Sequence, residues 1–136
     1  MSTMSSGPAA ELADVYRAYL RFLNERRWND LGQFVSPRLT YNEKPMTIDD
    51  YREAREGEAL AIPDLGYTID LLVADTNTVG ARLLFRCTPE RPFLGFQPTG
   101  ATISFAEHVF YRFDGSKIAH VSSLIDVPAI GAQLGQ

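Results

Sequence analysis

Apolar side chains recur at three- and four-residue steps near the front of the chain: Leu12, Val15, Tyr16, Tyr19, Leu20 and Leu23. That spacing puts them on one side of an α-helix, which predicts a helix from about Pro8 to Glu25–Arg27 with a proline tolerated in its first turn. Trp28, Leu31, Phe34 and Val35 carry the stripe past Asn29–Asp30 and predict a short second helix. Ser36–Pro37 then imposes extended backbone, because the residue before a proline avoids helical angles. Arg38 to Asn42 alternates and reads as a short strand. Thr47 and Asp50 have the spacing of a capping box, although such boxes favour Glu or Gln at the second site. They open a charged helix from Ile48 to about Leu60, which Pro63 and Gly66 close.

The period then changes to two. Tyr67–Asp75, Val79–Thr88, Thr102–Phe113 and Lys117–Asp126 are β-rich runs, with turn chemistry at Asp75-Thr76-Asn77 and at Asp114-Gly115. A Pro/Gly-rich loop from Pro89 to Gly100 carries Phe93, Leu94 and Phe96, and the tail from Pro128 to Gln136 is apolar enough to pack. Helices first and an antiparallel meander afterwards predict an α+β fold. A strongly curved antiparallel sheet wrapped over the first helix would leave a conical hollow, with strand faces alternating between hollow and exterior.

The length of 136 residues fits one domain, with residues 1–7 as a disordered tail. At 45% hydrophobic and 22% charged, the chain is neither disordered nor collagenous nor a membrane bundle. Thirteen basic against seventeen acidic residues give a net charge of −4, and no basic block offers itself to nucleic-acid phosphates. The single cysteine, Cys87, excludes an internal disulfide and a cysteine-based zinc site. No apolar run is long enough to span a membrane, and the opening MSTMSSG lacks the basic and apolar regions of a secretory signal. A soluble cytoplasmic protein is expected.

Phe93-Leu94-Gly95-Phe96-Gln97-Pro98-Thr99-Gly100 resembles the FxGxxPTG loop of the SnoaL-like polyketide cyclases, members of the nuclear-transport-factor-two-like superfamily. Ser104-Phe105, followed by Tyr111-Arg112-Phe113-Asp114-Gly115-Ser116-Lys117-Ile118, is similar to that family's hairpin. Gln133-Leu134-Gly135 resembles its terminal QLG, and Thr40-Tyr41-Asn42 with Tyr51-Arg52 resembles its YN…YR segment. The likeness runs over about residues 12 to 135 and implies a conical α+β fold, N-terminal helices packed on a strongly curved sheet, around a small-molecule pocket. Three positions depart from the family pattern. Pro89 stands where many members carry histidine, Val109 where the cyclases carry an acid or histidine, and Ser122-Ser123 where Trp-Asp is usual. The familiar aldol acid–base pair is therefore not intact, while Asp126 matches a later acid of the last strand.

Several side chains are candidates for chemistry. Asp126 follows Leu124-Ile125, and a carboxyl in apolar surroundings suits a general acid or base near neutral pH; it could equally cap the tail. Arg38, Thr40 and Asn42 share one strand face, where Arg38 could stabilise an oxyanion and Asn42 hold a carbonyl or a water. Tyr111 shares the inward face with Val109 and Phe113 and could donate to a reacting oxygen, or serve as a core tyrosine. His108 falls on the opposite face, and with His120 it shows no metal-ligand spacing. Tyr16, Trp28 and Tyr41, with Tyr19 and Phe34, could wall a cavity, although helical spacing of aromatics is first a core signal. Ser123 completes the candidate substrate-binding set with Asn42, Tyr16, Tyr41, Trp28 and His108.

These features together predict a cofactor-independent isomerase or cyclase of secondary metabolism. It would act on an oxygenated polyketide- or terpenoid-like intermediate, with Asp126 moving the proton and Tyr111, Arg38 and Asn42 positioning oxygens. Epoxide-hydrolase-type ring opening and a non-catalytic ligand-binding or dimerisation module are the rival readings. No metal and no nucleic-acid or membrane partner is expected. A homodimer through the outer sheet face is expected, because Phe110 and His108 turn outward there.

Overall fold

A computed structural model describes residues 7–136. Helix α1 spans Pro8–Asn24, with Gly7 as its N-cap and proline in its first turn. Of the tail expected over residues 1–7, only Gly7 lies within the described residues. Leu12, Tyr16, Tyr19, Leu20 and Leu23 are all buried along one side of α1, which is the predicted stripe. A single 3-10 segment, Trp28–Gln33, replaces the expected second helix.

Strand β1 (Val35–Tyr41) pairs antiparallel with a short β2 (Lys44–Thr47) that the polar turn between them had concealed. Thr47 then caps helix α2 (Ile48–Ala61): its hydroxyl accepts from the Asp50 amide at 3.1 Å, and the Asp50 carboxylate accepts from the Thr47 amide at 3.2 Å. Asp thus completes the box in place of the usual Glu.

The meander follows as β3 (Thr68–Ala74), β4 (Thr78–Cys87), β5 (Ile103–Asp114) and β6 (Lys117–Ile125), ending in helix α3 (Val127–Leu134). The sheet order is β2-β1-β6-β5-β4-β3. All pairs are antiparallel except β1 with β6, which is parallel. That correction to a purely antiparallel sheet arises because α2 carries the chain from β2 at one edge to β3 at the other, and the meander then returns to lay β6 beside β1. Register breaks within β1–β6, β3–β4 and β5–β6 bend the strands, and the sheet curls without closing.

Both long helices lie on the concave side, α1 against β3 and β4, and α2 against β1 and β2. One continuous core forms between helices and sheet, with Tyr16, Tyr19, Tyr51, Leu83, Val109 and Ile118 fully buried. No helix among the described residues is long and apolar enough to cross a membrane.

Candidate active site

The two-residue period of β5 aims Ile103, Phe105, Glu107, Val109, Tyr111 and Phe113 at the concave side, and Ser104, His108 and Phe110 outward. Glu107 is therefore a carboxylate set into an apolar row, and it is 8% exposed. Ser123, on the neighbouring β6, donates its hydroxyl to Glu107 Oε2. The Ser123 amide in turn donates to Asn42 Oδ1 at 2.8 Å.

Helix α2 contributes the opposite wall. Tyr51, Arg55 and Glu58 follow one another at four- and three-residue steps and so project from one side of the helix. Tyr51 is buried and shares a hydrogen bond between hydroxyls with Tyr19 of α1. Arg55 Nε lies 2.9 Å from Glu58 Oε1, an ion pair whose alignment falls short of a hydrogen bond.

These groups meet in a cavity between α1, α2 and the sheet. It is lined by Tyr19, Tyr41, Tyr51, Arg55, Glu58, Tyr67, Glu107 and Tyr111, with Phe85, Phe105, Val121 and Ile125 among its apolar walls. Phe93 and Leu94 sit over it from the loop between β4 and β5. That loop ends in a tight turn: Phe93 and Phe96 exchange backbone hydrogen bonds of 3.1 and 2.8 Å, and Leu94 and Gly95 both have positive φ, 50° and 82°. Two successive positive φ values define a type I′ turn, which favours glycine. The space open to water centres is about 40 Å³, room for about three water molecules.

Burial sets the electrostatics. Desolvation pushes the Tyr19, Tyr51, Tyr67 and Tyr111 hydroxyls above the ordinary tyrosine range, so they stay protonated and serve as donors. Desolvation also raises Glu58; the Arg55 guanidinium pulls it down and Glu107 pushes it further up. Arg55 is held well above its ordinary value, since the tyrosines and Glu58 around it outweigh its own desolvation. The cavity thus contains two acids, one fixed cation and several hydroxyl donors.

Of the residues singled out from sequence, Tyr111 and Tyr41 line the cavity and Ser123 holds Glu107. Tyr16 is a buried neighbour packed on Tyr111, with ring centroids 4.9 Å apart, and lies behind the wall. Trp28 is half-buried against the core away from the site. The remaining placements are corrections. Asp126 is exposed and caps α3, accepting from the Ala129 amide at 3.2 Å, because the strand ends before it and Leu124 beside it points to solvent. Arg38 is exposed on the convex side, since Leu39 and Tyr41 take the inward positions of β1. Asn42 lies in the β1–β2 turn with φ 48°, and its side chain is used by the Ser123 amide. His108 is exposed on the outer face that its strand position predicts, beside Arg82 and Phe110, so only its place in the substrate-binding set is corrected.

Sequence reasoning missed Glu107, Arg55, Glu58, Tyr51 and Tyr67. Glu107 had a signal, being two and four residues from Val109 and Tyr111 in a strand of period two. Among the described residues, no group of three or more His, Cys, Asp or Glu has the arrangement of a metal site.

A curled sheet covered by two helices over a polar-lined hollow is a cone of the α+β class. Residues 13–134 match the family model of the SnoaL-like polyketide cyclases, and the chain belongs to that family. A SnoaL-like polyketide cyclase from Agrobacterium tumefaciens strain C58 is 40% identical, with a TM-score of 0.88 over 91% of this chain and 98% of that one. AclR of Streptomyces galilaeus, provisionally a hydroxylase, is 22% identical with a TM-score of 0.78 over 93% of this chain and 82% of its own. IdmH of Streptomyces antibioticus is 18% identical with a TM-score of 0.81 over 93% and 99%. At such identities the last two share the fold. No curated protein matches the chain.

Proposed function

We propose that this chain is an isomerase or cyclase that moves protons on an oxygenated, polyketide-like intermediate inside the cone. The observation that carries the reading is Glu107, a buried carboxylate fixed by the Ser123 hydroxyl, in a cavity that is also lined by Glu58 and five tyrosines. Two acids in unlike surroundings divide naturally into an acid and a base. Glu107, which accepts from Ser123, takes a proton from the carbon beside a substrate carbonyl. The electron pair left behind moves onto the carbonyl oxygen, where tyrosine hydroxyls aimed into the cavity stabilise the negative charge. Glu58, whose pKa burial raises, returns a proton to carbon in an isomerisation, or, in a ring closure, to the oxygen left negative when the deprotonated carbon attacks a second carbonyl of the same intermediate. A substrate larger than a few waters enters when the turn at Leu94–Gly95 lifts from the mouth.

The test is exchange of the α-protons of 1-tetralone in D2O, followed by NMR. Wild-type protein should accelerate exchange and Glu107→Gln should not; an undiminished rate in Glu107→Gln would remove Glu107 from the role of base.

The molecule works as a homodimer in this reading. Leu71, Val73, Phe110 and Leu124 stand exposed on the convex side of the sheet and form an apolar surface suited to a second copy.

A further inference from the structure

Arg55 is the one cation on the cavity wall. Its guanidinium carbon lies 4.9 Å from the ring centroid of Tyr51 and 5.2 Å from that of Tyr41. The two rings fix the guanidinium plane but offer it no oxygen acceptor. Glu58 is its carboxylate contact, made through Nε and out of line for a hydrogen bond, so that Nε finds no acceptor. Neither Nη makes a hydrogen bond to any described residue, although the side chain is only 13% exposed. A buried guanidinium carries five donors, and leaving them unmade is costly.

The geometry points to Arg55 as the receptor for two neighbouring substrate oxygens that share one negative charge, a carboxylate or the enolate of a 1,3-dicarbonyl. A rigid fork of parallel N–H groups meets such a pair with two charge-assisted hydrogen bonds, which a single neutral carbonyl cannot accept. Arg55 and Glu107 face the same small space, so the oxygens held by the guanidinium would lie beside the carbon that Glu107 deprotonates. Arg55 then orients the substrate and draws charge onto oxygen, while the proton itself moves through the carboxyl groups. The inference rests on the cone interior being the substrate site, and it narrows the substrates to oxyanionic ones.

The experiment is binding of benzoate and of acetylacetonate to the full chain, by calorimetry and thermal shift, with benzamide as the neutral isostere. Benzoate and acetylacetonate should bind at least about tenfold more tightly than benzamide, and Arg55→Gln should remove that preference. Arg55→Lys keeps the charge but not the fork and should retain a weakened preference; it decides the matter should Arg55→Gln fail to fold. Equal binding of benzoate and benzamide would overturn the assignment. Equal benzoate affinity in wild type and in the folded Arg55 variants, or no binding of either anion at about 20 mM, would do the same. These outcomes are separable from the base assignment: tetralone exchange that survives while anion preference is absent removes Arg55 alone, and the converse removes Glu107 alone.

Discussion

Ser123 on β6 donates its hydroxyl to Glu107 on β5, a diagonal contact across two paired strands in which Val109 is the residue directly opposite Ser123. The contact fixes the carboxylate rotamer and one of its lone pairs. Glu107→Gln preserves shape and removes the base, so proton exchange should fall by about 10²–10⁴-fold. Ser123→Ala removes one hydrogen bond to a charged group, and about a tenfold loss with about 1–2 kcal/mol of destabilisation is expected. Exchange rates and urea midpoints of the two variants check both figures.

Glu58 gives a prediction about pH. Its folded-state pKa is raised, chiefly by desolvation, so the native protein binds more protons than the unfolded chain at pH values above the ordinary glutamate range. The stability linked to its protonated form is fully present below that range and is lost as pH rises through the raised value. Glu58→Gln is locked in a neutral form and escapes the loss. The difference in melting temperature between variant and wild type should therefore move in favour of the variant from about pH 5 to about pH 8. A difference that stays flat, or moves the other way, would show that the Arg55 ion pair outweighs burial.

On the convex side, Leu124 is 75% exposed, Leu71 59%, Phe110 58% and Val73 57%. Four large apolar groups so exposed on one sheet face call for a partner surface, and an isologous dimer supplies one. Light scattering behind size exclusion should report twice the mass of 15.2 kDa at micromolar concentration. Phe110→Lys with Leu124→Glu should give monomers with the tertiary structure intact. A wild-type monomer would contradict the dimer.

Cys87 ends β4 with its side chain fully buried, and burial, with Asp64 nearby, pushes its thiol up to about 11. Thiolate is then scarce at neutral pH and access is blocked. An aromatic disulfide reagent at about pH 8 should modify Cys87 only as fast as the protein opens, and at once in denaturant. Rapid reaction of the native protein would mean that the end of β4 is looser than described.

The helices, the meander and the cone were legible because each rests on a local period: three to four residues in α1, two in β3 to β6. The alternation in β5 correctly turned Tyr111 inward and His108 and Phe110 outward. What local pattern could not supply was the phase of a polar strand and the partners of distant ones. Arg38 and Asn42 alternate as well as Leu39 and Tyr41 do, and only packing against α2 shows which pair faces in. Asp126 follows apolar residues, but adjacency in sequence is not burial, since Leu124 faces solvent. The α2 wall was hidden for another reason: its inner side carries Tyr51, Arg55 and Glu58, so the helix shows charge on both sides and no apolar stripe. Polar residues that face a cavity look, in a sequence, like residues that face water.

Titration of the 15N-labelled protein with 1-tetralone locates the site most directly. Amide shifts should concentrate at Tyr51, Arg55, Glu107, Tyr111 and Ser123, inside the cone. Shifts centred on Asp126, His108 and Phe110, with the interior unmoved, would place ligand binding on the convex face and contradict the central claim.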